Sequence, residues 1–389
     1  MNSINSKLNS LKDKIDNNQS IEILIFGLGS VGNYLLNYLA EEKNINITVV
    51  GRSTSKMISD VNICKIASCI RNGRSAKISI READLNNVEQ LSSILNNIKP
   101  DFIVNSSRAY SHLKYGSISW KSLRAYGIWS PLSIKYIKNI MKAVEQASPN
   151  SIVINTSYSD ATNRWLKTAN KFYPDFGSGN LNHLVPRIKF AFADTYKIND
   201  IENIDVTIAT SHFHDVLISK EGITNNINPL LKVIYKGSPV NIDETKIYSM
   251  CAIDMPTDEK RNMMNASSNF EIIKKIITAA QNNTIEKFHS PGVFGLLGGY
   301  PVCINFKKSE PISIFETYFS KDEMTKVNKN SIYQDGIEEV EDGYLVYTDE
   351  LISKTQAAFN YTLPKKVHLD ESNTIADQLI KNVIEKAKS

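Results

Sequence analysis

The chain has 389 residues, of which 42% are hydrophobic and 22% charged, as in globular proteins rather than disordered or fibrous ones. Lysine and arginine number 45 against 41 aspartates and glutamates and are spread along the chain, which argues against nucleic acid binding. No apolar stretch near the start approaches the ~18 residues of a membrane helix, and residues 1–20 lack the pattern of a secretory signal. We therefore expect a cytoplasmic protein without a membrane span, whose four cysteines are reduced thiols.

Strands and helices alternate in the first part of the chain. Apolar runs rich in β-forming residues predict strands at Ile21–Phe26, Ile45–Val50, Ala76–Ile80, Asp101–Asn105 and Ser151–Asn155. The spacing of apolar residues predicts helices at Asn33–Glu42, Val88–Ile98 and Pro131–Ala147. This alternation is typical of an α/β fold with a doubly wound parallel sheet, the Rossmann arrangement.

The later part of the chain follows a different pattern. After a loop at Thr156–Asn180, the predicted elements are a helix at His183–Tyr196, a strand at Asp205–Thr210, a helix at Asn269–Gln281, a strand at Pro301–Phe306, a helix at Lys321–Asn330, a short strand pair around Asp342–Gly343 and a closing helix at Asn373–Lys388. We predict three parts: a polar N-terminal extension (1–20), an NAD(P)-binding Rossmann domain (21–158) and an α+β catalytic domain (159–389).

Three glycines follow the first predicted strand. Gly27, Gly29 and Gly32 match the GxGxxG pattern, which supplies a tight turn, close backbone approach to a pyrophosphate and close packing of helix on strand. The intervening Ser30 and Val31 open the next helix, whose unpaired N–H groups favour an anion. The motif therefore predicts a nicotinamide dinucleotide site, with a plain glycine turn in a nucleotide-free domain as the alternative.

The end of the second strand bears on the choice of cofactor. An NAD enzyme carries an acidic residue there for the ribose 2′-hydroxyl, whereas this chain has Arg52, Ser53 and Lys56. Cations and hydroxyls suit a 2′-phosphate, so we predict NADP, with NAD as the alternative. Asn105 and Ser106, at the end of the fourth strand, are placed to meet the nicotinamide ribose.

With this motif placed, the chain resembles the lactate/malate dehydrogenase superfamily, which also contains the NAD- and metal-dependent family 4 glycosidases. The resemblance covers most of residues 21–332. It rests on Ile134–Ile137 with Pro149–Asn155, on Asn180–Arg187, and on Ser211–Asp215. Later segments that fit the same pattern are Met264–Ser268, Gly299–Val302 and Phe319–Met324. The resemblance implies a Rossmann domain followed by a substrate domain of the same superfamily.

The resemblance also implies where the catalytic histidine lies. Ser211–Asp215 is similar to the segment that carries it, and the spacing favours His214, with His212 as the alternative. Histidine has an ordinary pKa of ~6.5, which suits a base for hydride chemistry near neutral pH. We predict His214 as the acid/base, helped by Asp215, with His183 as a further catalytic candidate.

The chain departs from the family at two positions. Asn182 stands where the dehydrogenases carry an aspartate, and Val185 stands where they carry a carboxylate-binding arginine. The glycosidases use a Cys-His pair where this chain has Asn182–His183, so we expect no metal. A divalent metal held by His183, His212 or His214 with Asp215 is the alternative.

Substrate contacts are predicted in two regions. The segment Ser106–Trp129 is placed like the mobile loop that closes over substrate in the dehydrogenases, and among its cations Arg108, Lys114 and Arg124 we favour Arg124 as the anion clamp. Further candidates for substrate contacts are Asn155, Asn182 and Arg187.

These patterns together predict an NAD(P)-dependent oxidoreductase acting on a small, polar, anionic hydroxy or oxo substrate. We expect a homo-oligomer that binds a small molecule and neither nucleic acid nor membrane. Two alternatives stay open. One is a metal-dependent glycosidase or lyase that uses transient redox chemistry, and the other is a non-catalytic NAD(P)-binding sensor or scaffold.

Overall fold

The computed structural model describes residues 3–110, 115–256 and 258–388. Six strands of the first half form one parallel sheet: β1 (Ile21–Phe26), β2 (Ile45–Gly51), β3 (Lys77–Glu82), β4 (Phe102–Asn105), β5 (Ile152–Asn155) and β6 (Phe176–Gly177). Their order across the sheet is β3-β2-β1-β4-β5-β6, with every neighbouring pair parallel. The order reverses between β1 and β4, which is where open α/β sheets bind ligands at their carboxyl edge. The predicted doubly wound sheet is confirmed.

Helices cover both faces of this sheet. They are α1 (Ile4–Asp16), α2 (Ser30–Leu39), α3 (Thr54–Asn72), α4 (Val88–Ile98), the short α5 (Gly116–Ile118), α6 (Ser130–Ala147) and α7 (Ser159–Thr168). Side chains of β1 alternate between the faces, since Ile23 and Ile25 join the core under α1, α2 and α3. Leu24 and Phe26 join the core under α4 and α6. Burial of β1 on both faces explains its continuous apolar run.

The second half is a mixed α+β structure, as predicted. Its helices are α8 (Asn180–Tyr196), α9 (His212–Glu221), α10 (Glu244–Met250), α11 (Asn262–Asn282), α12 (Lys321–Gln334), α13 (Asp349–Phe359) and α14 (Ser372–Leu379). Its strands are β7 (Ile204–Ala209), β8 (Leu230–Tyr235), β9 (Ser238–Val240), β10 (Glu286–Pro291), β11 (Gly299–Ile304), β12 (Ile312–Ile314), β13 (Ile337–Glu341), β14 (Tyr344–Tyr347) and β15 (Lys366–His368). Consecutive triplets of these strands form three antiparallel sheets.

The two halves share their cores. Side chains of α11, such as Ile272 and Ile276, pack in the same cluster as those of α2. On the other face, Leu345 of β14 and Leu379 of α14 pack in the same cluster as α6. The division of the chain at residue 158 stays a prediction, and the sixth strand of the parallel sheet lies beyond it.

Seven helices were not expected from the sequence: α1, α3, α5, α7, α9, α10 and α13. The apolar pattern of α3 is obscured because Ile63, Ile66 and Ile70 are exposed. The pattern of α7 is obscured because its polar residues, including Asp160 and Asn163, are buried. Helices that expose apolar or bury polar side chains lack the periodicity on which such predictions rest.

No helix in the described ranges combines the length and the apolar character needed to cross a lipid bilayer.

Candidate functional site

A cavity of about 570 Å³ lies at the carboxyl edge of the parallel sheet. Residues directly after β5 and β6 form its floor, and α8, α9 and residues 115–129 form its walls. The charged and ionisable lining residues are Arg108, Lys121, Asp160, His183, Arg187, His212, Asp215, Lys220, Asp258 and Arg261. A concave site with converging ionisable groups at this edge is the expected location for ligand binding.

His212 begins α9 and faces this cavity. Its Nδ1 lies 3.1 Å from Oδ2 of Asp335, and its backbone N–H donates to Oδ1 of Asp160 at 3.0 Å. The rings of Tyr126 and Tyr158 meet the imidazole edge to face, with centroids 4.8 and 5.1 Å away. A carboxylate at Nδ1 favours the tautomer protonated there, so Nε2 is the nitrogen able to accept a proton.

Three groups at this point have pKa values raised above their ordinary values. Burial lowers the pKa of His212, but the hydrogen bond to Asp335 and the charges of Asp335, Asp160 and Asp215 outweigh it and leave the pKa raised. Burial raises the pKa of Asp160 to about 6 and that of Asp215 to about 8, against the lowering influence of His212. Clustered groups with pKa values shifted by burial and by charged neighbours are typical of functional sites.

Asp335 is the anchor of this cluster and was not singled out from the sequence. It lies at the end of α12 and is fully buried. Besides contacting His212, Oδ2 accepts the hydroxyl of Tyr158 at 2.6 Å, and Oδ1 accepts the backbone N–H of Tyr126 at 2.6 Å. No spacing rule connects residues 123 positions apart, so only the fold reveals this pair.

His214, the predicted acid/base, lies outside the cavity lining. Its Nδ1 is 2.6 Å from Oγ of Ser331, and its Nε2 is 2.9 Å from the carbonyl oxygen of Thr224. Burial lowers its pKa to about 4. A buried imidazole with both nitrogens bonded has no nitrogen to offer a substrate. His214 is therefore not placed to meet a group in the cavity, whereas His212, the alternative two residues earlier, lines it.

His183, Arg187 and Asp215 do come together. His183 and Arg187 lie one turn apart on α8, Asp215 lies on α9, and all three line the cavity. Burial, followed by the charges of Arg261 and Arg187, lowers the pKa of His183 to about 3, so its ring is neutral at pH 7. Arg187 is buried and donates from Nη1 to the carbonyl oxygen of Cys251 at 2.7 Å.

Arg124, the predicted anion clamp, is used elsewhere. Its guanidinium forms a two-point ion pair with Glu221 at 2.9 and 2.6 Å and stacks on the ring of Trp120. Arg124 itself does not line the cavity. Arg108 does line the cavity, and Lys114 lies outside the described residues. The predicted clamp therefore holds a wall of the cavity and is not placed to bind its contents.

The two asparagines proposed as substrate contacts are also used within the fold. Asn155 is fully buried, and its Oδ1 accepts the side-chain amide of Asn105 at 3.0 Å. Asn182 donates to the carbonyl oxygen of His289 at 2.8 Å and does not line the cavity. Both amides stabilise the edge of the sheet and the start of α8, and neither lines the cavity.

Arg261 and Lys220 are lining cations that the sequence analysis missed. Arg261 immediately precedes α11, and its guanidinium makes no hydrogen bond or ion pair with the described residues. Its charge contributes to the lowered pKa of His183. These two cations, with Arg187, can bind an anionic group in place of Arg124. A single arginine in the short helical turn Glu259–Arg261 carries no sequence pattern that would have marked it.

The glycine loop has the geometry that the motif predicts. Gly27 has φ of +91°, and a Cβ on Gly32 would lie 2.1 Å from the carbonyl oxygen of Gly27, so a side chain at either position is excluded or strained. A Cβ on Gly29 would meet nothing within 4 Å, which leaves open space against the loop. Ser106 supports the loop by donating to the carbonyl oxygen of Gly27 at 2.7 Å.

The start of α2 faces the same region. The helix begins at Ser30 with Gly29 as its N-cap, so no side chain caps its first N–H groups. Oγ of Ser30 accepts the amide of Asn262, a cavity residue, at 2.6 Å, which joins the glycine loop to the cavity. Val31 is buried against the sheet core, and Asn105 is buried beneath the loop.

Arg52, Ser53 and Lys56 lie where β2 gives way to α3. Arg52 and Lys56 are exposed, and Arg52 makes no hydrogen bond with the described residues. Ser53 is the N-cap of α3 without a side-chain capping bond. Glu82, at the end of β3, accepts the backbone N–H and hydroxyl of Thr54 at 2.9 and 3.0 Å, so a carboxylate also borders this region.

Histidine, cysteine and acidic side chains are the usual protein ligands of metal ions. Within the part of the chain that the structure describes, no three of them are grouped so as to hold a metal ion.

Comparisons with known proteins place this site in a familiar fold. Residues 23–119 match the family model described as the saccharopine dehydrogenase NADP binding domain. Among solved structures, malate dehydrogenase from Cryptosporidium parvum is similar at 15% identity and a TM-score of 0.55, covering 81% of this chain and 96% of that one. No curated protein sequence matches the chain.

Two further similar structures are complexes with bound ligands. Lactate dehydrogenase from Cryptosporidium parvum, complexed with lactic acid and nicotinamide adenine dinucleotide, shows 13% identity and a TM-score of 0.55, covering 82% of this chain and 96% of that one. Malate dehydrogenase from Plasmodium falciparum in complex with NADH shows 15% identity and a TM-score of 0.51, covering 87% and 99%. The chain therefore has the Rossmann dehydrogenase fold, with an N-terminal region like an NADP-binding domain.

Proposed function

We propose that this protein is an NAD(P)-dependent oxidoreductase in which His212, held by Asp335, exchanges a proton with the hydroxyl or oxo group of a small anionic substrate. The observation that carries the proposal is the His212–Asp335 pair, whose Nε2 has no partner among the described residues while its ring faces the cavity. A carboxylate on one imidazole nitrogen orients the ring and stabilises the imidazolium that forms at the other.

This pair bears on whether the fold has lost its catalytic groups. The absence of an aspartate at Asn182 favoured a non-catalytic sensor or scaffold. Asp335 supplies a buried carboxylate from a different element, bonded to the histidine that faces the cavity. That arrangement favours an enzyme.

The glycine loop fits a dinucleotide. A bound pyrophosphate requires close packing of helix on strand at Gly32, open space at Gly29 and an uncapped start of α2, and the loop has all three. The backbone from Gly27 to Gly32 would hold it, with Ser106 as the support of the loop. When bound, the nicotinamide supplies hydride exchange with the substrate carbon.

We favour NADP over NAD. Arg52 and Lys56 are exposed cations beside Ser53, where the 2′-substituent of the adenosine ribose lies in this fold. Glu82 borders the region, but its carboxylate is bonded to Thr54 and is not free for a ribose hydroxyl. The arrangement suits a phosphate better than a hydroxyl.

The proton balance follows from the residues. In the oxidative direction the substrate hydroxyl gives its proton to Nε2 of His212 as the carbon loses hydride, and Asp335 stabilises the resulting imidazolium. In the reductive direction the imidazolium returns the proton to the oxo oxygen. An anionic group of the substrate binds Arg187 and Arg261, and the aromatic wall from Trp120 to Trp129 limits water.

A titration tests the cofactor half of the proposal. NADPH and NADH are added to the protein while the fluorescence of its three tryptophans is followed. Tighter binding of NADPH than of NADH supports the proposal, and the absence of binding by both contradicts it. A screen of hydroxy and oxo acids for change in nicotinamide absorbance then tests the chemistry.

We also propose, from the sequence, a cytoplasmic homo-oligomer. Cell fractionation would check the location, and light scattering would check the oligomeric state.

A further inference from the structure

Four buried polar atoms without a hydrogen-bond partner lie together in the cavity. They are Nε2 of His183, Nε of Arg187, Oδ1 of Asp215 and Oγ of Ser219. Across the described ranges, one other buried side-chain atom of this kind, Oγ1 of Thr210, lacks a partner, and Thr210 does not line the cavity. Unpaired buried polar atoms cost free energy, and native structures keep few of them. Their concentration at one place indicates a bound group that supplies the missing partners.

The four atoms come from two neighbouring helices. His183 and Arg187 are four residues apart on α8, and Asp215 and Ser219 are four residues apart on α9, so each pair shares one helix face. His212 precedes Asp215 by three residues, roughly 5 Å along the helix axis. This polar cluster is therefore next to the reacting centre and separate from it.

The donors in the cluster are fixed by contacts on its far side. Nη1 of Arg187 donates to the carbonyl oxygen of Cys251 at 2.7 Å, and Nη2 lies 2.9 Å from Sδ of Met255. The remaining Nε–H of Arg187 is a free donor, and Arg261 is a second cation in the same lining. Two guanidinium groups with available N–H donors suit a carboxylate.

The other three atoms of the cluster can accept hydrogen bonds. The ring of His183 is neutral at pH 7, and its buried Nε2 has no hydrogen-bond partner. A neutral imidazole that donates from Nδ1 offers Nε2 as an acceptor. Oδ1 of Asp215 is a second acceptor, and the hydroxyl of Ser219 can do either. The group opposite must therefore donate more than one hydrogen bond.

Charge selects among such donors. The charged and titratable groups that act on Asp215 are His212, Arg187, Asp160 and Arg261, and burial outweighs them to raise its pKa to about 8. A buried carboxyl in this condition lacks a cation close to its free oxygen. An ammonium group supplies that charge and donates to two acceptors at once, whereas a hydroxyl supplies no charge.

We propose that this cluster binds the amino-carboxylate head of the substrate, with the ammonium between Asp215 and His183 and the carboxylate on Arg187 and Arg261. The inference rests on the proposed function for the reacting centre and adds a substrate class to it. Because the cluster lies a helical turn from His212, the carbon that reacts is a different carbon from the one that bears the amine. The substrate is then an amino acid whose hydroxyl or oxo group stands further along its chain.

Matched ligands test this inference on the full-length protein with and without NADPH. The probes are the common L-amino acids and, for each one that binds, the carboxylic acid of the same chain without the amine. We expect at least one amino acid to bind at least tenfold more tightly than its des-amino partner in calorimetric titrations. Binding should release a proton as Asp215 ionises, which titrations in buffers of different ionisation enthalpy detect.

Variants assign the discrimination to the cluster. Asp215→Asn should reduce the preference for the amine at least tenfold, and Ser219→Ala, a milder change, should reduce it in the same direction. Asp205→Asn removes an exposed carboxylate from β7 and should leave the preference unchanged. Melting curves establish that each variant is folded before its titration.

Three results would overturn the inference: equal binding of the paired ligands, no binding of any amino acid at 10 mM, or an unchanged preference in folded Asp215→Asn and Ser219→Ala. Failure of the proposed function is visible separately. If neither NADPH nor NADH binds while an amino acid binds in a manner that depends on Asp215, the oxidoreductase proposal fails and the head-group site stands.

Discussion

His212 and Asp335 divide the work of a general base between a titrating ring and the carboxylate that orients it. Replacement of His212 by glutamine keeps a hydrogen-bonding side chain but removes the proton acceptor. We expect kcat to fall by ~10²–10⁴-fold in the His212→Gln variant, because that is the usual contribution of a positioned acid/base. Cofactor affinity should be unchanged in a fluorescence titration, since the residues proposed to hold the cofactor do not include His212.

The matched control for this prediction is His214→Gln. His214 bonds Ser331 and Thr224 inside the fold, so its loss should lower the free energy of unfolding by about 1–3 kcal/mol. Turnover per folded molecule should stay close to wild type. A large loss of kcat in His214→Gln with full activity in His212→Gln would reverse the assignment.

The effect of Asp335 is best seen in a pH profile. Oxidation needs the unprotonated Nε2 of His212, so its rate rises with pH through the pKa, which Asp335 helps to raise. Asp335→Asn removes the charge but keeps the side chain's size, so the rise should move to lower pH. The measurement is kcat/KM against pH for both proteins. A rise at unchanged pH would show that Asp335 does not set the titration of His212.

At the scale of elements, α1 is joined to the sheet by a buried ion pair. Nζ of Lys7 lies 2.9 and 2.7 Å from the two carboxylate oxygens of Asp175, with both side chains almost fully buried. Lys7→Met leaves the carboxylate buried without its partner and should lower the free energy of unfolding by about 3–5 kcal/mol, measured by urea denaturation. Lys12→Met, which breaks the more exposed pair with Asp16 within α1, should change it by less than about 1 kcal/mol.

The turn between β1 and α2 gives a second prediction at this scale. Ala at position 32 would place Cβ 2.1 Å from the carbonyl oxygen of Gly27, forcing α2 away from the strand, so Gly32→Ala should lower stability and weaken cofactor binding together. Gly29→Ala meets no protein atom and should preserve the melting temperature while weakening cofactor binding at least tenfold, because Cβ enters the space for the pyrophosphate. Unchanged NADPH affinity in Gly29→Ala would place the cofactor elsewhere.

At the scale of the whole molecule, the parallel sheet could be predicted because its strands are buried on both faces and follow one another along the chain. The glycine turn was equally visible, since its pattern is local. The reacting pair was not, because His212 and Asp335 meet through the packing of α9 against the end of α12. His214 was favoured by a resemblance in spacing, and its hydrogen bonds to Ser331 and Thr224 and its place outside the cavity lining distinguish it from His212. Burial of each residue depends on the fold and cannot be read from one sequence.

The buried ionisable groups also set how the stability of the whole protein depends on pH. Burial lowers the pKa of His183 and His289 to about 3 and that of His214 to about 4. Below pH 6.5 these three rings therefore bind protons in the unfolded chain but stay neutral in the folded protein. Burial raises the pKa of Asp215 to about 8, so between pH 4 and 8 the folded carboxyl keeps a proton that the unfolded one releases. The first effect lowers stability as pH falls, and the second lowers it as pH rises.

Stability should therefore pass through a maximum at about pH 6–7, where the histidines of the unfolded chain have lost part of their protons and the penalty from Asp215 is incomplete. The measurement is the melting temperature of the protein from pH 5 to pH 8.5. His289→Gln should flatten the acidic side of the curve, because it removes one of the three histidines that bind a proton only in the unfolded chain. It should not change the slope on the alkaline side. Asp215→Asn should do the opposite, with a gain over wild type that grows with pH. A gain that is uniform across the range would mean that Asp215 is already ionised in the folded protein.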